Sequence, residues 1–452
     1  MSRVSRYTWI AVALLAATSA SLSQDDKSLE YAVQQYEQER AAQRWDRALA
    51  HAQRAVELLR PAMPSSATQL VDALCRVGFT HYLLNDYASA ERSYAEALET
   101  AEANFTSGDQ RLVAPMRGLA RSWFAQKRYE ESARMLERAL LVNQRNEGLD
   151  SPAQLELLRM LADSQTHAGD FTAAERTMLQ YVQAHERKHG RHDARAVAAH
   201  SELAEWYVYV GELSRARTLL RQEIANAQAH LGEDSPALIR PLRALARSYV
   251  AELMYGERIV GQLSAREDKL PRQVIQSSQG RFVPWAWLGD YRASPLEGER
   301  ALLRALEIAQ SDPAQPPEEV DRILLDVGDW YQLRRRQDAA LRYYKQLLAR
   351  QSAVQTGIAA VLSYPAKLFL PLLASRETDG EETGPTSIRY AVVEFDVTAS
   401  GSTDDVRVIE GNATEREKKT LVAAMRAAQY RPKFANGEPL RTPGMRYRHV
   451  FK

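Results

Sequence analysis

The sequence is poor in cysteine, net charge and long apolar runs. One cysteine, Cys75, stands in 452 residues. That excludes an internal disulfide framework and any centre built from several thiolates, four-cysteine zinc and ordinary iron–sulfur clusters included. Lys and Arg number 59 against 58 Asp and Glu, leaving +1, so no global charge recruits nucleic acid. The apolar stretch within Tyr7 to Leu22 covers only 16 residues, short of the roughly 20 a spanning helix needs. No other segment is long and apolar enough. P-loop, GxGxxG and GxSxG strings are missing, and so is any Pro-rich tract. What remains is ordinary: with 45% hydrophobic and 26% charged residues the chain can bury a core, which rules out a disordered or collagen-like protein.

The N-terminus reads as an export leader. Arg3 and Arg6 precede the apolar run Trp9 to Ala17, and the small residues Thr18-Ser19-Ala20 follow. This layout marks residues 1–20 as a signal peptide cleaved after Ala20. Its removal takes two arginines from a charge of +1, leaving 1 − 2 = −1. No cysteine lies near the cleavage site, so a lipoprotein is not supported. An uncleaved leader serving as an anchor is the alternative.

The body repeats with a period of 42 residues. Segments beginning Tyr87-Ala-Ser-Ala-Glu, Tyr129-Glu-Glu-Ser-Ala and Phe171-Thr-Ala-Ala-Glu keep that spacing, and Leu213-Ser-Arg-Ala-Arg continues it. Ala48, Ala90, Ser132, Ala174 and Ala216 share the period, as do Leu119, Leu161, Leu203 and Leu245. Gly148, Gly190 and Gly232 mark the breaks. Each unit is then two amphipathic helices joined by a tight turn, in which a small residue lets the helices approach. A lone unit could not bury its face.

These units resemble the tetratricopeptide repeat, in the 42-residue form of kinesin light chains, whose inter-repeat loops are similar to Gly148-Leu-Asp-Ser-Pro152 and Gly232-Glu-Asp-Ser-Pro236. Six units run from about Leu29 to Lys269, the sixth degenerating after Tyr255-Gly256. Two more follow in altered phase: Trp285-Ala-Trp-Leu288-Gly289 with Ala301, Ala305 and Pro313, and Val327-Gly-Asp-Trp-Tyr331 with Ala340 and Tyr344. The expected fold is mostly α, an α-solenoid of about eight helix pairs over residues 25–350. Residues 351–386 are a connecting segment whose part from Ser375 to Ser387 reads as a linker.

Residues 387–452 change period. Ala391, Val393, Phe395 and Val397 alternate onto one face of a strand, and Val406 and Val408 form the inner face of a second. Thr414 and Glu417 make a capping box for a helix carrying Leu421, Met425 and Ala428 inward. Tyr430-Arg431-Pro432 ends it, Asn436-Gly437 turns, and Met445 to Phe451 is a last strand. This order, with Phe395-Asp-Val, Val406-Arg-Val-Ile-Glu410, Tyr430-Arg-Pro-Lys-Phe434 and Asn436-Gly-Glu-Pro439, resembles the C-terminal domain of TonB energy transducers. The resemblance implies a small α+β (ββαβ) domain that pairs its edge strand, Met445, Arg446, Tyr447, Arg448, His449 and Val450, with a segment of a cell-envelope partner, a TonB-dependent receptor among them. Family transducers also carry a spanning helix with a functional histidine and a Pro-rich spacer. Here no histidine precedes His51, and a helical solenoid replaces the spacer.

Catalytic chemistry is nearly absent. His185-Glu186-Arg-Lys-His189 fits the H-E-x-x-H pattern of zinc hydrolases, with His192 or His200 as third ligands. The competing reading is a polar helix end, where His and Lys suit the negative pole of the dipole. No cofactor is expected, and no metal beyond these weak candidates. The first-helix face offers more: Arg117, Arg159, Ser201 and Arg243 form one column at 42-residue spacing, and Arg121, Asp163, Glu205 and Arg247 another. Arg240, Arg243 and Arg247 share a helical face, and guanidinium forks suit carboxylates. Either these arginines clamp an acidic or C-terminal peptide segment, or they form a solvated face paired with Glu156, Asp163 and Glu205.

The leading reading is a non-enzymatic periplasmic scaffold of a Gram-negative bacterium, binding protein or peptide partners and no nucleic acid, and meeting the membrane only if the leader is uncleaved. An inner-membrane-anchored transducer for receptor-mediated transport is the second, and a zinc hydrolase the distant third. Intact-mass measurement of the native protein is expected to give a chain beginning at Ser21; Met1 retained in a membrane fraction would favour the transducer.

Overall fold

Every early helix pair turns on a residue in the left-handed region. Gln43, Asn85, Lys127, Gly169 and Gly211, each 42 residues from the next, have φ of 56°, 62°, 64°, 84° and 91°. Such a residue stops the first helix and turns the chain back. After Asn85 and Gly169, Asp86 and Asp170 cap the second helix by accepting from the Ser89 and Ala173 N–H groups.

The structure is a computed structural model that describes residues 24–264, 295–351, 357–370 and 389–451. The expected leader, the Trp285-to-Gly289 string and the linker from Ser375 to Ser387 lie outside them. Two compact units divide the chain, Met1–Ala184 and His185–Lys452. Among the described residues no helix is long and apolar enough to cross a membrane.

In the first unit the helices are α1 (Gln24–Ala41), α2 (Trp45–Leu59), α3 (Ala67–Leu83), α4 (Tyr87–Asn104), α5 (Val113–Ala125), α6 (Tyr129–Glu147), α7 (Pro152–Ala168) and the start of α8 (Phe171–His189). Neighbours from α1 to α7 pack pairwise. The small residues of the period, Ala48, Ala90, Ser132 and Ala174, are all fully buried at 0% exposure, so even one added methylene would meet the facing helix. Tyr94 of α4 wedges between α3 and α5, and a Cβ on Gly118 would lie 2.1 Å from its ring.

The second unit continues with α9 (Ala194–Val210), α10 (Leu213–Leu231), α11 (Ile239–Ser264), α12 (Pro295–Ser311), α13 (Pro317–Leu333) and α14 (Gln337–Gln351). α11 runs through Tyr255-Gly256, after which the sixth unit was expected to degenerate, and packs on α12. The turn series lapses at its next member, Leu253, which stays helical. Seven helix pairs are found among the described residues where about eight were expected.

The connecting segment is more structured than its composition suggests. It holds a 3₁₀ turn (Ile358–Leu362) and strand β1 (Ala366–Phe369). Then follow β2 (Arg389–Val397), β3 (Thr403–Gly411), α15 (Glu415–Ala427), the short strands β4 (Gln429–Arg431), β5 (Lys433–Ala435) and β6 (Glu438–Leu440), and β7 (Thr442–Phe451). Strand, strand, helix, strand is thus present as β2, β3, α15 and β7, with three short strands interposed. The capping box forms as expected: Thr414 accepts from the Glu417 N–H and the Glu417 carboxylate accepts from the Thr414 N–H. β2 is the centre of an antiparallel sheet ordered β3-β2-β7, and Val393, Phe395, Leu421 and Met425 form its core against α15.

This module is seated on the last helix pair. β1 pairs with β4. Arg431 of β4, only 8% exposed, grips Asp329 of α13 through Nε and Nη2 at 2.8 and 2.5 Å, and the Tyr344 hydroxyl donates to the same carboxylate at 2.8 Å. Phe434 stands edge-on to the Tyr344 ring, 5.5 Å between centroids, inside the helical core. Gln332 donates to the Ser400 carbonyl at 2.7 Å. Removing one partner of a buried pair strands the other, so Asp329→Ala should lower the unfolding free energy of this unit by about 3 kcal/mol. Lys345→Ala, which breaks an exposed contact with Glu438, should cost less than about 1 kcal/mol. Urea titration, with hydrogen exchange read across β1 and β4, measures both.

Candidate functional site

Alternate helices supply one face in each unit, because the period places equivalent first-helix residues side by side. In the first unit that face is concave. Glu37 and Arg40 of α1, Arg76 and Phe79 of α3, Arg117 and Arg121 of α5 and Glu156 of α7 line a cavity of about 350 Å³, with Tyr36, Cys75 and Tyr94 also at its wall. Gly118 belongs to the lining too, and its missing side chain is what lets the Tyr94 ring reach the cavity.

Four arginines here face two glutamates. Arg117 and Arg121 converge on Glu156 at 2.6 and 3.0 Å, and Arg40 pairs with Glu37 at 2.7 Å while Arg76 stands 3.9 Å from it. Arg76 also lies over the Tyr36 ring and Arg121 over Tyr82. These pairs are about one-third to one-half exposed, where an ion pair contributes roughly 1 kcal/mol or less. A ligand carboxylate can therefore replace either glutamate at small cost, and two positive charges remain in excess. Burial pushes the Cys75 thiol up to about 12, the Asp72 carboxylate adding to the effect.

The columns read from sequence divide between the two units. Arg117 and Arg121 come together in this cavity, and Arg159 is exposed on α7. In the second unit Arg240 binds Glu202 and Glu205, both at 2.9 Å, Arg243 binds Glu319 at 2.5 Å and Asp326 at 2.8 Å, and Arg247 stands 3.5 Å from both Glu205 and Asp326. Three arginines there meet four carboxylates, so that face is satisfied within its own chain. Arg40, Arg76 and Tyr36 were missed. Arg76 sits one residue off a column, and Arg40 and Tyr36 belong to neither. Extending the Arg121 column backward by 42 reaches Phe79 and then Glu37, a signal that was available.

At the end of α8 the rings of His185 and His189 are 5.6 Å apart. Glu186 between them is held by Arg191 at 2.9 Å and faces His200 at 3.4 Å, which places it in an ion-pair network. Among the described residues no group of three His, Cys, Asp or Glu is arranged to hold a metal ion. In the strand module, β7 is a terminal strand of its sheet. Arg446, Arg448 and Val450 are exposed on it, and Met445, Tyr447 and His449 are half-buried on the inward face.

A family model for the tetratricopeptide repeat matches residues 112–187. No curated protein matches the chain. Among solved structures, BtubC (BKLC) from P. vanneervenii is 21% identical, covering 60% of this chain and 94% of that one at a TM-score of 0.41. The nearly identical TPR-like repeats assigned to a kinesin light chain of Podosopora anserina are 20% identical, covering 44% of this chain and 95% of theirs at 0.37. The C-terminal part of a TPR repeat-containing protein from Cytophaga hutchinsonii is 12% identical, covering 74% and 100% at 0.40.

A thiol raised to about 12 is protonated at neutral pH and loses its proton only as the pH climbs toward that value. Iodoacetamide at pH 8 should therefore alkylate Cys75 in the folded chain about a hundredfold more slowly than in urea, as followed by mass spectrometry, with the folded rate rising as the pH is raised.

Proposed function

We propose that this chain is a non-catalytic interaction scaffold exported to the periplasm, where the groove of its first unit receives an acidic segment of a cell-envelope partner and its strand module offers β7 for pairing. Tetratricopeptide repeats are protein-interaction scaffolds, generally without catalysis, and that much stands on the repeats themselves. The observation that carries the finer reading is the cavity between α1 and α7, in which four arginines share two exchangeable glutamates beside Tyr36, Phe79 and Tyr94. Guanidinium forks recognise carboxylates bidentately, and the aromatic wall suits the apolar residues of the same segment.

The leader residues support export, and the resemblance of residues 387–452 to the TonB terminal domain supports an envelope partner met by strand pairing. Arg240, Arg243 and Arg247 take no part in this reading, because Glu202, Glu205, Glu319 and Asp326 already hold them.

Arg117→Glu with Arg121→Glu tests the groove. A fluorescein-labelled peptide of alternating Glu and Leu, titrated into the full chain and followed by anisotropy, should bind and should weaken as salt is added. The double variant should lose at least about tenfold in affinity while its helical circular dichroism is unchanged, since exposed charges contribute little to folding. Equal affinity in the variant would leave the groove an ion-paired surface and overturn the proposal.

A further inference from the structure

The two edges of the β3-β2-β7 sheet are unlike. On the β3 side the pairing with β2 shifts register twice, between Val392 and Val393 and between Glu394 and Asp396, and Asp405 sits at φ 48°. Asp404, Asp405 and Glu410 are exposed along it. Bulges and charge of this kind protect an edge against pairing. On the β7 side the register is unbroken over seven consecutive pairs, from Arg389 opposite Phe451 to Phe395 opposite Met445. A regular strand that pairs on one side only, among the described residues, is a template for another.

Three features of β7 describe what it fits. Its inward residues are only partly covered: Ala391, Val393 and Phe395 of β2 are at most 1% exposed, whereas Met445, Tyr447 and His449 opposite them are half-buried, with the Lys367 ammonium 4.9 Å over the Tyr447 ring. Its outward residues are cationic, with Arg446 and Arg448 two apart on one face. On the side already occupied, β2 answers them with a carboxylate and a ring, Glu394 to Arg446 at 3.1 Å and the Tyr390 ring 4.3 Å from the Arg448 guanidinium. No carboxylate among the described residues lies within ion-pair distance of Arg448.

We propose that the free side of β7 docks an extended segment that alternates acidic with apolar residues, the acidic ones beside Arg446 and Arg448 and the apolar ones against Met445 and Tyr447. This rests on the strand-pairing part of the function proposed above and specifies its partner. Such a segment repeats what β2 does on the other side, where Val393-Glu-Phe-Asp-Val397 puts acid outward and bulk inward. It also discriminates between the edges, because β3 exposes three carboxylates, Asp404, Asp405 and Glu410, against the single guanidinium of Arg407. Opposite charges directly across a strand pair attract and like charges repel, so the preference is set by side chains while the backbone supplies the adhesion.

Two blocked peptides test this on the full chain, Thr-Val-Glu-Val-Glu-Val-Thr and its counterpart with Lys for Glu, each labelled and titrated at low salt. The acidic peptide should bind at least about tenfold more tightly, and Arg446→Glu with Arg448→Glu should invert the order of the two. An inversion cannot come from misfolding, which weakens both peptides alike. To keep the first-unit groove out of the reading, the same titrations are run in the Arg117→Glu, Arg121→Glu background. Equal binding of both peptides there, lost in a Tyr447→Pro variant with an otherwise native NMR fingerprint, would leave strand addition standing and overturn the acidic preference. No binding of either peptide would overturn strand addition at this edge and the inference with it.

Discussion

Close approach of paired helices is the constraint on which the rest depends. At Ala48, Ala90, Ser132, Ala174 and Ala216 the side chain never exceeds a hydroxymethyl group and is never exposed. Helices that meet at such a point contact along their length, yet one pair leaves its outer faces bare. Stacking the next pair covers them, and the cost of a larger side chain at any of these sites would be strain in a packed core. The first-helix faces then fall side by side, and with them the residues 42 apart that form the groove of the first unit.

Much of this was legible because a repeat states its own register. A residue read once is read again 42 positions on, so Leu119, Leu161, Leu203 and Leu245, at 3 to 4% exposure, could be assigned to the core without reference to neighbours. Where the period lapsed, so did the reading. Leu253 stands where a turn residue was due, and α11 runs past it to Ser264. Strand β1 is four residues long, too short for alternation to show. The Arg431–Asp329 pair joins positions 102 apart in sequence, and no periodicity of either partner announces it. The strand module's interior was readable for the opposite reason: its strands and helix each present whole alternations, and a capping box and an Asn-Gly turn punctuate them.

The arginines divide by what surrounds them rather than by their own positions in the repeat. Arg117 and Arg121 share one glutamate, whereas Arg240, Arg243 and Arg247 are matched by four carboxylates. Sequence columns name which side chains line a face, but whether a cation on that face is available depends on acids contributed by helices that the columns do not include. Glu319 and Asp326 belong to α13, whose repeat is out of phase with the rest, and so they could not be set against Arg243 by counting.

The seating of the strand module bears on how this chain can be recombined. Its foundation includes Asp329 and Tyr344 of the last helix pair and β1, which precedes its first long strand by some twenty residues. Residues 387–452 are therefore no portable cassette. A graft that begins at β2 leaves behind the strand that β4 pairs with, the carboxylate that neutralises Arg431 and the ring that Phe434 leans on. The unit of inheritance is larger: α13, α14 and all that follows. A chain that exchanged its repeats by recombination could replace those before this point and retain the module, while an exchange within it would have to rebuild a buried cation's partner.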